Sequence, residues 1–346
     1  MDTIRQKISI CICFIATSLL FLGCNPASRY TPTPTILPTP TPLPERMLPT
    51  VKIWEGVTTK TICLVTELAL PENMTVIPDP IGETVRDILT NMGMQVVDYG
   101  ASCDATLTLI TQVEPLEGAY WGAGGCYTGG NMDMIISLTA VGQDTYETVL
   151  RAEKPPTKIV IVDSGEECDK LPEDFLDSPE FTILWSDPFL DTLVNLWGPQ
   201  ILVWSMDILH SSYPNPVSDK LNVIGPTDEV IWALIYAMQD ESLSLSDYAT
   251  YLIRGFAPEA EEAIPFLIQA AKDAVDKQDY PMIEMETLKR FGSLAIDAVP
   301  VLIEVLGSET IHPDAPIRAH DTLVAITGQD FGMETQKWQE WWEAEH

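Results

Sequence analysis

The sequence predicts an α+β domain, a small mixed sheet with few helices, followed by an all-α solenoid of helical hairpins. Three observations predict it. Between residues 51 and 211, short apolar stretches carry the two-residue alternation of strands, with one stretch at helical spacing. Beyond residue 226 an apolar motif returns at intervals in the mid-thirties, the period of two-helix repeats. Ahead of both lies a proline ladder with almost nothing to bury.

The first element is an export signal. Arg5 and Lys7 make a basic start, and Ile8 to Leu22 form an apolar run of fifteen residues. That is the length of a signal core and short of the roughly 20 residues that cross a bilayer. Phe21, Leu22, Gly23 and Cys24 then resemble the cleavage site of a bacterial lipoprotein, with Phe21 where leucine is usual. The resemblance implies that residues 1–23 are removed and that the Cys24 thiol carries a diacylglycerol, with a further acyl chain such as palmitate on the new N-terminus. Each buried methylene contributes about 0.8 kcal/mol, so two or three chains hold a protein firmly. The plainer alternatives are an uncleaved helix, or a secreted protein with a chance cysteine. The implied place is the extracytoplasmic face of a bacterial membrane, with the lipid as the sole membrane contact.

Residues 24–50 form the spacer. From Asn25 to Thr50 there are eight prolines and six threonines, a composition that favours extended polyproline geometry. At roughly 3 Å per residue, these 26 residues reach about 80 Å.

Charge narrows the partners. Without Asp2, Arg5 and Lys7 the chain keeps 50 acidic and 17 basic side chains, a net charge of −33. The excess is spread, 26 acids against 8 bases over residues 51–225 and 23 against 7 over 226–346. Such a field repels phosphate backbones and anionic headgroups, which argues against nucleic acid and lipid surfaces as partners.

Cys11 and Cys13 leave with the signal, so the first folded half holds Cys63, Cys103, Cys126 and Cys168. An even number in an exported chain reads as two disulfides, for which three pairings exist. Cys103 with Cys126 would close a strand–loop–strand, and Cys63 with Cys168 would tie the first strand to the far end of the domain. Those are the favoured pairs; free buried thiols are the alternative.

Within 51–211 the elements follow in order. "TICLVTEL" is a strand. Ile81, Val85, Ile88, Leu89 and Met92 recur at helical spacing and give a helix over 80–92 that stops near Gly93. "DATLTLIT" sets Ala105, Leu107 and Leu109 on one face and threonines on the other, as a half-buried strand does. "MIISLTAV", "YETVLRA" and "KIVIVD" bring the sheet to five or six strands. Phe189 to Leu209 is strongly apolar and helical, broken at Gly198-Pro199, and its Asp191, Asn195, Gln200 and Asp207 argue against a membrane span.

Little in this domain nominates chemistry. "GAYWGAGGCYTGG" has neither the lysine of a phosphate loop nor the spacing of a dinucleotide fingerprint. It reads as a hairpin loop pinned by Cys126, or less plainly as an aromatic ligand lip of Tyr120, Trp121 and Tyr127. The acidic run "DSGEECDKLPEDFLD" lacks the positions of a calcium loop and reads as a solvated loop. His210, His312, His320 and His346 form no pair at metal spacing. No catalytic residue, metal ligand or cofactor is expected.

After a linker at 212–225, the repeats begin. "AIPFLI" at 263–268 returns as "AVPVLI" at 298–303, and a looser "VIWALI" at 230–235 precedes them. A second apolar helix follows each, and its Leu252, Leu288 and Leu323 are spaced by 36 and 35 residues. Ala263, Leu267, Ala270 and Ala274 share one face, as do Val299, Leu302, Ile303 and Leu306. Such a hairpin leaves apolar surface open on both sides, and stacked neighbours cover it.

The Ala-x-Pro-x-Leu opening, Asp314, Arg318-Ala319, Leu323 and Gly328 resemble HEAT repeats of the bacterial type, related to those of bilin lyases. The resemblance covers residues 226–346 and is clearest in the last unit. The middle unit departs from it, with Ile283-Glu284 where the last has Arg318-Ala319. Trp338, Trp341 and Trp342, at i, i+3 and i+4, look like the terminal cap of such an array. What the family implies is a protein-binding surface along the second helices, hence a membrane-tethered scaffold with a protein partner in the cell envelope. A receptor for envelope ligands built on the α+β domain is the alternative, and an enzyme or lyase-type accessory comes after it.

Overall fold

The computed structural model describes residues 50–55, 57–69, 80–115, 126–159, 188–206, 216–240, 243–308 and 310–346. Five strands form one mixed sheet: β1 (Thr61–Ala69), β2 (Gln95–Asp98), β3 (Ala105–Pro115), β4 (Cys126–Ala140) and β5 (Tyr146–Ile159). Their order is β2-β1-β3-β4-β5. β1 runs parallel to both β2 and β3, while β3–β4 and β4–β5 are antiparallel. Parallel neighbours need a crossover, and α1 (Pro80–Asn91) supplies it between β1 and β2. Its end follows the expectation: Gly93 takes φ 92°, a left-handed stop that a side chain resists.

Alternation decides which face of the sheet is covered. Ile62 and Leu64, Leu107 and Leu109, and Met134, Ile136 and Leu138 are buried together on one side. The other side carries Glu147, Arg151 and Glu153 in the open, with Arg151 reaching Asp133 at 3.3 Å. Two strand expectations change in detail. "YETVLRA" and the start of "KIVIVD" belong to one continuous strand, β5, and the short "QVVD" of β2 had no sequence signal of its own.

Beyond the sheet the described residues form a series of ten helices: α2 (Leu190–Trp197), α3 (Gln200–Ser205), α4 (Pro216–Ile224), α5 (Asp228–Ala237), α6 (Leu243–Phe256), α7 (Ile264–Asp276), α8 (Met282–Phe291), α9 (Val299–Leu306), α10 (Ala315–Thr327) and α11 (Thr335–Glu345). The stretch expected to be a linker, 212–225, thus contains α4, with Val217 and Leu221 buried. The apolar segment before it forms the short helices α2 and α3, and among the described residues no helix is long and apolar enough to cross a membrane. It is the joint of the molecule. α3 packs against α1 on one side and against α4 and α5 on the other, and Leu193, Trp197, Ile201 and Val203 are fully enclosed. One apolar core therefore continues from Ile62 in β1 to Trp338 in α11.

Local signals set the helix boundaries. Thr227 caps α5, its hydroxyl accepting from the Val230 amide at 3.4 Å. Pro265, Pro300 and Pro316 stand in the first turns of α7, α9 and α10, where a missing N–H costs nothing. Gly328 closes α10 in the left-handed conformation, φ 70°. α5 pairs with α6, α7 with α8 and α9 with α10; α6 then lies beside α8, α8 beside α10, α7 beside α9 and α9 beside α11.

Candidate functional site

Cysteine pairing departs from both favoured pairs. The disulfide links Cys63 to Cys103, with Cα atoms 5.6 Å apart. Adjacency explains it: β1 and β3 are neighbours, Cys63 stands opposite Thr106, and Cys103 lies just before β3 begins. A cysteine can bridge only what its Cβ can reach, and strand order decides that. Cys126 lies in β4, where its side chain is not described, and Cys168 lies outside the described residues. Next to the bridge, one Asp104 carboxylate oxygen accepts from the amides of Lys60 and Thr61, both at 2.8 Å. The start of β1 is pinned twice.

Residues 51–55 form a strap that sequence patterning did not single out. Val51 is buried, the Lys52 amide donates to the Leu196 carbonyl at 2.7 Å, and the Lys52 ammonium pairs with Glu229 on α5. Trp54 turns the other way and donates its indole N–H to the Asp144 carbonyl in the β4–β5 turn, 3.0 Å. Gly198 makes room for the strap: it holds φ 85°, and a Cβ there would stand 2.9 Å from Lys52 Cε. Trp54 therefore anchors the sheet end of the strap and Lys52 the helix end.

Three contacts tie the α7–α8 hairpin to the α9–α10 hairpin. Lys272 on α7 reaches Glu304 on α9 at 2.9 Å, and also Asp276 at 2.9 Å. These carboxylates raise the Lys272 pKa against the opposing effect of burial. Tyr280, between α7 and α8, stacks on His312, between α9 and α10, with ring centroids 4.7 Å apart. Arg318 on α10 pairs with Glu286 on α8 at 2.6 Å. Burial raises the pKa of the Tyr280 hydroxyl, while the nearby Arg318 guanidinium opposes the rise.

Glu284 is the electrostatic exception. Its position on α8 corresponds to Ala319 on α10, which is fully buried, so a carboxylate stands where the last unit has a methyl group. Burial raises its pKa, and the carboxylates of Asp247 on α6 and Asp279 in the preceding loop raise it further. Among the described residues no cation pairs with any of the three.

At the C-terminal end, Trp338 is fully buried and donates its indole N–H to the Gly332 carbonyl at 2.9 Å. Phe331 meets it edge-on at 4.9 Å, and His320 holds the same loop through Asp330, 2.9 Å from Nε2. That bond, then the Gly332 amide, lowers the Asp330 pKa. Trp341 and Trp342 are half-buried, and Trp342 stacks on His346 with centroids 3.8 Å apart. The three tryptophans thus divide, one into the core and two onto its rim.

The chain matches no protein-family model and no characterised protein. Function must be argued from the residues. Among the described residues, no group of three or more His, Cys, Asp or Glu is placed to hold a metal ion. Cys24, the spacer through Pro49, residues 118–125 of the glycine-rich stretch, the acidic run 163–177 and His210 lie outside the described residues, while residues 126–130 of that stretch, expected in a loop, open β4. Sequence reading missed the strap, the Tyr280–His312 stack and the surroundings of Glu284. Only Glu284 left a trace in the sequence, as the place where the middle unit departs from the last.

Proposed function

We propose that this chain is an exported lipoprotein, anchored through Cys24 at the extracytoplasmic face of a bacterial membrane. Its helical hairpins pile up as a HEAT-like array and grip another protein of the envelope. The observation that carries the reading is a shared register. Lys272 to Glu304, Tyr280 to His312 and Glu286 to Arg318 all join residues 32 apart (304 − 272, 312 − 280, 318 − 286). One separation across an ion pair, a ring stack and a second ion pair is what similar units set side by side produce. The apolar motif returns after 35 residues, so each contact reaches three residues, about one helical turn, short of its own counterpart. A row of units built this way leaves the outer stripes of α6, α8 and α10 available to a partner.

Two experiments test it. Crosslinking the full chain in intact cells, followed by capture, should recover one envelope protein in stoichiometric amount; repeated capture without one would refute the scaffold. Replacing Cys24 by Ala should release the chain from the membrane fraction, and unchanged retention would refute the anchor.

One observation favours a second reading, a receptor for a small envelope ligand. In the order β2-β1-β3, the chain leaves β1 toward β2 on one side while β3 lies on the other. In open α/β sheets ligands bind at such a divergence, at the carboxyl ends of the parallel strands, here Ala69 and Pro115. A melting shift with envelope extracts depleted of protein, and no captured partner, would favour the receptor.

A further inference from the structure

We propose that the partner docks a cationic, amphipathic segment on the exposed stripe of α6 and the adjoining start of α8, its basic groups meeting Asp247, Asp279 and Glu284 and its apolar groups meeting Tyr251 and Met282. The inference rests on the scaffold reading and gives it a chemistry.

Asp247, Tyr251 and Gly255 are exposed at i, i+4 and i+8, one stripe along α6 that no described element covers. Tyr251 is 58% exposed on this stripe, an apolar ring offered to solvent, with the Arg254 guanidinium 4.5 Å from its centroid. α8 packs beside α6 and begins with Met282, 42% exposed. At the equivalent place, 35 residues on, α10 exposes Ile317 at 56%, so the apolar positions continue along the row. Tyr251 and Met282 thus put exposed apolar groups on two adjoining helices, beside exposed Asp247 and Asp279.

Charge selects what covers it. Glu284 faces carboxylates from α6 and from the α7–α8 loop and no cation. The helical region is poor in cations, with seven basic side chains against 23 acidic ones. Three of the seven are engaged elsewhere, Lys272 with Glu304, Arg318 with Glu286 and Lys337 with Glu334, and Arg254 sits on the Tyr251 ring within the stripe. A partner's lysine or arginine would relieve the repulsion, and electrostatic steering would speed its arrival. One acidic residue four places before an apolar one, Asp247 before Tyr251, matches a helix bearing the complementary pair at the same spacing.

The test uses the full chain in detergent micelles and two synthetic 18-residue helical peptides, one of lysine and leucine and one of glutamate and leucine. Fluorescence anisotropy should show binding of the cationic peptide alone, weakened about tenfold by the double change Asp247→Asn with Glu284→Gln and also weakened by Tyr251→Ala. The charge-matched control Asp297→Asn with Glu340→Gln should bind as the parent does. Folding failure does not confuse the result, since removal of the Glu284 charge is expected to raise the melting temperature. Equal weakening by the control, or binding of the anionic peptide, would overturn the proposal. If the envelope protein captured by the parent is retained undiminished by the Asp247/Glu284 variant, this docking surface is wrong while the scaffold stands.

Discussion

The phenol ring of Tyr280 lies flat on the imidazole of His312, with centroids 4.7 Å apart and planes 3° from parallel. The two rings come from the loops within adjoining hairpins, α7–α8 and α9–α10, so their contact measures how one hairpin settles on the next. A double-mutant cycle with Tyr280→Ala and His312→Ala is expected to yield a coupling energy of about 0.5–1.5 kcal/mol, the range of aromatic pairs. Additive single losses would show that the loops do not communicate.

Glu284 predicts an unusual pH response. Its pKa is raised in the folded chain, so the native state binds its proton at a higher pH than the unfolded state does. Stability from this group is fully present below the ordinary carboxylate value, about 4.3, and is lost as pH rises through the raised one. At neutral pH the charged group is destabilising. Glu284→Gln should therefore raise stability near pH 7 by about 1 kcal/mol, a usual size for a single change. The gain should shrink as the medium is made mildly acidic. Denaturant melts at several pH values check this, and a loss of stability at pH 7 would contradict it.

Trp338 should carry much of the C-terminal stability, being fully buried with its indole N–H bonded to Gly332. Trp338→Ala is expected to cost about 3–5 kcal/mol, against far less for Trp342→Ala on the half-buried rim. Thermal melts of the two variants decide, and comparable losses would show that burial does not separate these residues.

The Cys63–Cys103 bridge spans 40 residues. Removing it by a Cys63→Ser and Cys103→Ser double change should lower stability by about 3–4 kcal/mol through the unfolded chain. Peptide mapping without reductant should recover the Cys63 and Cys103 peptides joined. Recovery of Cys103 joined to Cys126 would refute the pairing.

Local periodicity accounts for most of what could be read in advance. Ala105, Leu107 and Leu109 announced β3 because a strand's faces alternate at every second residue, and Val299, Leu302, Ile303 and Leu306 announced α9 because a helix turns every 3.6. The four residues of β2 left no pattern long enough to recognise. The linker expected at 212–225 is partly helical because Val217 and Leu221 find a wall in α3, a neighbour the local sequence does not disclose.

What the order of residues settles alone is where helices and strands begin and end: Gly93 stops α1, Pro265 and Pro300 start α7 and α9, and Gly328 stops α10. These are steric and hydrogen-bonding facts of a few consecutive residues. Which cysteine meets which, what Trp54 and Lys52 hold together, and why Glu284 lacks a counter-charge were decided by folding, through the placing of β1 beside β3 and α6 beside α8. Those placements come from burying apolar faces against one another, and the force that does so has no preferred partner until the whole core closes.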